Sequence, residues 1–237
     1  MNFDTWEPVY DAICADMGYD RAADEHARDR LAALVDGATT CSVDPAAFEG
    51  QTVAVAAPGP GLADALDAVA AADVVLAAGT AADRLLEAGR PVDWIVTDLD
   101  GHPGRVGEFT RDGCPVAVHA HGDNVALLEE HVPTYDLAAV LPTTQAAPVG
   151  PVRNFGGFTD GDRAAFFADA LGAEALTFPG WDLADPSVGA EKRRKLRWAA
   201  RLLAWLERRR DARFAVLDGL RGDLDLSAIP GMGEGPS

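Results

Sequence analysis

Lysine is nearly missing from this 237-residue chain. It carries 2 Lys and 18 Arg against 27 Asp and 11 Glu, for a formal charge of −18. So acidic a surface repels phosphate backbones, which argues against nucleic acid as a partner. Acid enrichment with little lysine is the surface of a protein kept soluble in concentrated salt, where charge repulsion is screened at short range. Cysteine is scarce too. Cys14, Cys41 and Cys114 are odd in number and widely spaced, so they form no metal or redox motif, and reduced thiols in a cytoplasmic protein are expected. Long apolar runs are absent: the longest, Val69 to Ala78, is broken by Asp73 and is too short to span a bilayer. The start, Met1-Asn2-Phe3-Asp4, is acidic and lacks a basic-then-apolar signal.

What is present is an alternating pattern. The length suits one large domain, or one domain with an appendage. Residues from Phe3 to about Val35 read as two amphipathic helices, with Trp6, Val9, Tyr10, Ile13 and Met17 at helical spacing and Asp4 or Thr5 placed to cap the first. The second is expected from about Asp20 to Asp36, stopping at Gly37. Beyond Thr52 the strand candidates are Thr52–Ala57, Val74–Ala78, Trp94–Thr97, Val116–His119, Ala138–Leu141 and Leu176–Phe178. Helical patterns lie between several of them, at Leu62–Ala71, Ala81–Ala88, Asn124–His131 and Gly161–Leu171. Near-continuous apolar strands separated by helices predict an α/β fold with a mostly parallel sheet covered on both faces. A long helix follows from about Ala190 to Arg210, with Leu196, Ala199, Leu203 and Leu206 as its apolar stripe; Phe214–Leu217 reads as a last strand, and the tail from Ile229 to Ser237 as mobile.

Four turns at candidate strand ends carry chemistry. In Val96-Thr97-Asp98-Leu99-Asp100-Gly101 two carboxylates follow an apolar strand and meet a glycine. Ligands bind at the carboxyl ends of strands in open α/β sheets. Two acids held together there repel unless a cation lies between them, and Mg²⁺ is the hard ion that takes carboxylate and phosphate oxygens. The plainer alternative is a polar turn in an acidic protein. The loop Ala57-Pro58-Gly59-Pro60-Gly61-Leu62 offers glycines and a helix start to a phosphate, without the lysine of a P-loop or the full dinucleotide fingerprint. His119-Ala120-His121-Gly122-Asp123-Asn124 places two of only five histidines at a strand end; strand alternation puts both on one side, with Asp123 and Asn124 capping the next helix. No further His or Cys follows at zinc-ligand spacing. Gly156-Gly157-Phe158-Thr159-Asp160-Gly161-Asp162-Arg163 reads either as a helix cap or as a phosphate or metal loop. Finally, Lys192-Arg193-Arg194-Lys195 holds both lysines of the chain, and one of them is expected to face a phosphate rather than solvent.

Taken in this order, the Gly-Pro-Gly loop, Asp98-Leu-Asp100-Gly101, His119-Ala-His121-Gly-Asp123-Asn124, Gly157-Phe-Thr-Asp160-Gly-Asp162-Arg163 and the Lys192/Lys195 helix resemble the archaeal 6-hydroxymethyl-7,8-dihydropterin pyrophosphokinases. These are Rossmann-like enzymes related to thiamine pyrophosphokinase, and the resemblance covers roughly residues 1 to 220. It implies a Rossmann-like catalytic domain over 46–189, a helical extension over 1–45, and a final segment over 190–237 holding the long helix, last strand and tail. It also implies ATP- and Mg²⁺-dependent diphosphate transfer to the hydroxymethyl group of a reduced pterin, with release of AMP, feeding tetrahydromethanopterin or folate-type cofactor synthesis. Asp98, Asp100 and Asp123 are then the expected metal ligands, and with His121 the expected catalytic set. Gly59, Gly61, Asp160, Asp162, Arg163, Lys192 and Lys195 are expected on the nucleotide, and Asn154, Phe155, Phe158 and Trp181 are candidates for a flat pterin slot. No nucleic-acid or membrane partner is expected, and a homo-oligomer is left open. The competing readings are a thiamine pyrophosphokinase-like enzyme with another alcohol, a nicotinamide-dependent oxidoreductase, and a non-catalytic nucleotide-binding protein.

Overall fold

The apolar runs form six parallel strands in the computed structural model, which describes residues 1–229 and 232. They are β1 (Thr52–Ala56), β2 (Val74–Ala78), β3 (Trp94–Thr97), β4 (Val116–Ala120), β5 (Val140–Thr144) and β6 (Ala175–Thr177), in the order β5-β4-β3-β2-β1-β6. Alternation of side chains divides each strand between two cores. Val53, Val55, Leu76, Trp94, Val96, Ala117 and Leu141 face one. Ala56, Val75, Ala77, Ile95, Val116, Val118 and Val140 face the other.

Helices cover both faces. The first core holds α1 (Phe3–Met17), together with two helices that follow later in the chain. The second holds α2 (Arg21–Leu34), α3 (Leu66–Ala70), α4 (Ala81–Glu87), α5 (Pro103–Arg111) and α6 (Val125–His131). The chain then crosses to the first face, where α7 (Asp160–Ala170) lies against β1, β2 and β3, and α8 (Ala190–Arg209) lies on α7. Trp6, Phe166, Phe167 and Trp198 are at most 2% exposed there. Each fully buried ring of this kind is worth about 2–3 kcal/mol in area removed from water. Because α1 belongs to one core and α2 to the other, the short link between them, which carries Tyr19, passes over the carboxyl edge of the sheet.

Several expectations are corrected. Asn2, not Asp4 or Thr5, caps α1, its side chain accepting from the Thr5 N–H at 3.0 Å. The stretch from Leu62 begins as a 3₁₀ segment, Pro60–Ala65, before turning α-helical at Leu66. The fifth strand starts at Val140, because Leu137–Ala139 forms a 3₁₀ turn capped by Asp136. Ala215–Leu217 is a 3₁₀ turn packed on α8 rather than a last strand. Helix α5 was not anticipated. Most of the tail expected to be mobile lies outside the described residues. Among those residues no helix is long and apolar enough to cross a membrane. The three cysteines are free thiols, Cys14 buried and the other two half-buried.

Candidate active site

All six strands deliver a residue to one cleft at the carboxyl edge, with a volume of about 580 Å³. Pro58 and Gly59 follow β1, Gly79 and Thr80 follow β2, Asp98 and Asp100 follow β3, and His121 and Asp123 follow β4. Gln145 follows β5, and Trp181 follows β6. Tyr19, Asp20 and Asp24 close one side, and Lys192 and Lys195 on the first turns of α8 close another.

The turn after β3 is built to display two acids. Leu99 lies between them with its side chain 1% exposed and its backbone left-handed, φ 70°. That conformation costs a non-glycine residue roughly 1–2 kcal/mol, offset here by burial of the leucine. The Thr97 hydroxyl accepts from the Leu99 N–H at 3.0 Å, and Asp98 Oδ1 accepts from the Asp100 N–H at 3.2 Å. Asn124 clips this turn to the next strand: its amide donates to the carbonyls of Asp98 and His119, both at 2.7 Å, and its oxygen accepts from the His121 N–H at 3.0 Å. Asn124 thus stands at the start of α6 but gives its side chain to the clip rather than to the helix cap.

Asp98, Asp100 and Asp160 each bring a carboxylate oxygen into a group whose members lie within 4.8 Å of one another. Arg163, only 6% exposed, is their near cation: its Nη1 is 3.0 Å from Asp160 Oδ1 and 3.6 Å from Asp98 Oδ2. His121 Nε2 is 3.3 Å from Asp98 Oδ2, and His121 Nδ1 accepts from the Asp123 N–H at 3.3 Å. The imidazole therefore offers a proton to Asp98 and holds its lone pair against the backbone. Burial pushes the Asp98 carboxyl up, but the His121 hydrogen bond and the Arg163 guanidinium outweigh it and hold the group well below the ordinary carboxylate range. Asp100 and Asp160 go the other way. Burial raises both, and the Asp98 charge raises them further, against Lys192 and Lys195 at Asp100 and against Arg163 at Asp160. Two of three clustered acids thus resist ionising with the protein's own cations in place. A hard divalent ion bound by carboxylate oxygens would relieve that, so the donor set fits Mg²⁺.

The remaining expected residues divide. Asp123 lines the cleft but is outside the trio. Gly59 also lines it and Gly61 does not. Gly59 has a packing reason besides any ligand: a Cβ there would lie 2.1 Å from the Gly180 carbonyl oxygen, and one on Gly180 would lie 2.3 Å from the Ala57 carbonyl oxygen. Asp162 is fully buried away from the cleft, where it accepts from the N–H groups of Phe158 and Thr159 and from the Thr159 hydroxyl at 2.6 Å. It completes the capping box of α7, whose N-cap is Thr159. The two histidines also part. β4 ends at Ala120, leaving His119 buried with Nδ1 3.1 Å from the Thr143 hydroxyl. That hydroxyl donates to the Val118 carbonyl, so it accepts from His119. His119 is kept neutral by burial, reinforced by the Arg163 charge.

Of the four aromatic-slot candidates, Phe158 and Trp181 line the cleft. Trp181 is held there by donating its indole N–H to the Val55 carbonyl at 2.7 Å. Asn154 is taken up in its own turn, bonding the Ala146 carbonyl and the Gly156 N–H, and Phe155 packs edge-on against Phe167. Of the basic run, Arg194 pairs with Asp16 on α1, and Arg201 stacks over Trp198. Both lysines reach the cleft. Sequence reasoning missed Tyr19, Asp24 and Gln145; only the helical spacing around the first two marked their surroundings.

Comparison with known proteins identifies the family the chain resembles. Residues 30–187 match the model of a family described as 6-hydroxymethylpterin diphosphokinase MptE-like. A protein of Methanothermobacter thermautotrophicus named 6-hydroxymethyl-7,8-dihydropterin pyrophosphokinase is 38% identical over 230 residues, covering 90% of this chain and 98% of the relative. Its namesake in Pyrococcus furiosus is 38% identical over 225 residues, covering 87% and 95%. The Methanocaldococcus jannaschii protein of the same name is 30% identical over 232 residues, covering 87% and 96%.

Proposed function

The chain belongs to the 6-hydroxymethylpterin diphosphokinase MptE-like family, and from that premise we propose that it transfers diphosphate from ATP to the hydroxymethyl group of 6-hydroxymethyl-7,8-dihydropterin, releasing AMP. The observation that carries the reading is the meeting of three carboxylates, one buried arginine and two lysines in a single cleft at the strand ends. Asp98, Asp100 and Asp160 would hold Mg²⁺. Mg²⁺ supplies charge neutralisation and alignment for the triphosphate. Lys192 and Lys195 face the same space and complement phosphate oxygens as point charges.

The acceptor oxygen forms a bond to the β-phosphorus as the bond from that phosphorus to the α,β-bridging oxygen breaks. AMP leaves with the electron pair. His121 Nδ1 is engaged by the Asp123 N–H, so His121 positions Asp98 rather than taking the alcohol proton. Asp123, exposed in the cleft and outside the trio, is the proposed proton acceptor. The ring of Phe158 and the anchored indole of Trp181 supply apolar wall for a flat acceptor. The proposed setting is the cytoplasm, with the product serving tetrahydromethanopterin or folate-type cofactor synthesis.

The test is AMP release from ATP and Mg²⁺ in concentrated salt, with the pterin alcohol as acceptor and thiamine as control. AMP formed in step with pterin diphosphate supports the reading. Turnover with thiamine alone reassigns the acceptor, and tight ATP binding without AMP release removes the catalytic assignment.

A further inference from the structure

Asp24 is a carboxylate with 3% exposure on α2, and every partner it has is a donor. Its Oδ2 accepts from the Tyr10 hydroxyl at 2.6 Å and from the Gln145 side-chain amide at 2.7 Å, and its Oδ1 accepts from the Gly122 N–H at 2.7 Å. An ionised carboxylate only accepts, so Gln145 must turn its NH₂ toward Asp24. The amide oxygen then accepts from Arg163 Nη2 at 3.3 Å. The other nitrogen of that guanidinium faces Asp160 and Asp98. A single polarity thus runs from α2 through Gln145 and Arg163 to the carboxylate trio. The same Asp24 holds the Gly122 N–H, next to His121, which braces Asp98 from the other side.

We propose that Asp24 and Gln145 are positioning residues, which fix the orientation of Arg163 and through it the geometry of the Asp98–Asp100–Asp160 cation site. This deepens the proposed function and rests on it for the identity of the cation. The paired N-terminal helices thereby gain a role in the site, since α1 supplies Tyr10 and α2 supplies Asp24.

The polarity makes a distinctive swap available. In Asp24→Asn, an amide that keeps its oxygen on Gly122 presents NH₂ to Gln145. Gln145 must flip and set its own NH₂ against Arg163, donor against donor. In Gln145→Glu, two carboxylates face each other. In the double variant, the introduced asparagine amide donates to the introduced glutamate, and that glutamate accepts from Arg163. Direction and net charge are both restored. The Tyr10 hydroxyl is donor and acceptor alike and adapts.

Mn²⁺ is the probe, its binding followed by electron paramagnetic resonance without substrate, beside thermal melting and kcat. Each single variant should weaken Mn²⁺ binding about tenfold, as changes behind a metal's ligands commonly do. The double variant should return to within about threefold of the parent. Native Mn²⁺ affinity in a folded Asp24→Asn protein overturns the proposal, as does a double variant no better than the product of the singles. A raised KM for the pterin alcohol with unchanged Mn²⁺ binding also overturns it, since Asp24 then touches substrate. Should Asp24→Asn fail to fold, Gln145→Met, which cuts both links, carries the test: unaltered Mn²⁺ affinity there refutes the proposal. Absence of AMP release by the parent protein fails the functional reading and leaves the Mn²⁺ result to stand by itself.

Discussion

Two turns of this molecule share one pattern, Asp-X-Asp, and put it to different uses. After β3, Asp98 and Asp100 flank a buried leucine and both face the cleft. At the start of α7, Asp160 faces the cleft while Asp162 turns inward to cap the helix. The difference lies in which backbone N–H groups need a partner. The β3 turn satisfies the Leu99 N–H with the Thr97 hydroxyl, and its other exposed N–H takes one oxygen of Asp98, leaving the second oxygen and all of Asp100 for other partners. A helix start has several unpartnered N–H groups at once, and the third residue of the helix is the one whose side chain can fold back to them. Spacing alone does not separate a ligand from a cap.

The contrast can be broken by substitution. Asp98→Asn removes the acid that both His121 and Arg163 brace, and AMP release should fall by about 10³-fold or more with melting little changed. Comparable turnover by that variant removes the cation site. Asp162→Ala should do the reverse. Loss of the capping acceptor should cost roughly 1–2 kcal/mol in denaturant unfolding, while kcat stays within about tenfold of the parent. A collapse of activity in a well-folded Asp162→Ala protein would place that carboxylate in the chemistry after all.

Smaller effects sharpen the picture. His121→Ala should slow turnover by about tenfold, and His121→Gln, which keeps a donor for Asp98, should recover much of that loss. Equal damage in both, with the acidic limb of the pH–rate profile altered, would restore the histidine as proton acceptor. Mg²⁺ added to the parent should raise its melting temperature by a few degrees, as binding to the folded state alone requires. The same addition should leave Asp98→Asn unmoved, and a rise of equal size in both would locate the ion elsewhere.

The strands were legible because a parallel sheet buried on both faces needs unbroken apolar runs, and Val53–Ala56 and Val74–Ala78 recur between helical patterns as such a sheet requires. Helix α5 was hidden by Pro103, Gly104 and Gly107, residues that speak against a helix even though Pro103 sits in its first turn, where proline is tolerated. Phe214–Leu217 misled for a different reason: four apolar residues fit a buried 3₁₀ turn as well as a strand. In the site, Asp98 and Asp100 were visible because strand ends in such sheets are where ligands gather. Asp24 and Gln145 were not, because their meaning lies in a hydrogen bond between residues 121 positions apart. No local pattern encodes a pairing of that range.

The shortage of lysine has a practical consequence. Lys192 and Lys195 are the only two in the chain, and both line the cleft. Among side chains, an amine-reactive reagent therefore meets its targets nowhere else on the molecule. Acylation becomes a footprint of the cleft itself, legible by mass spectrometry as protection by bound nucleotide. The same two amines are ready anchor points for a fluorophore or a tethered nucleotide analogue, with no engineered cysteine required.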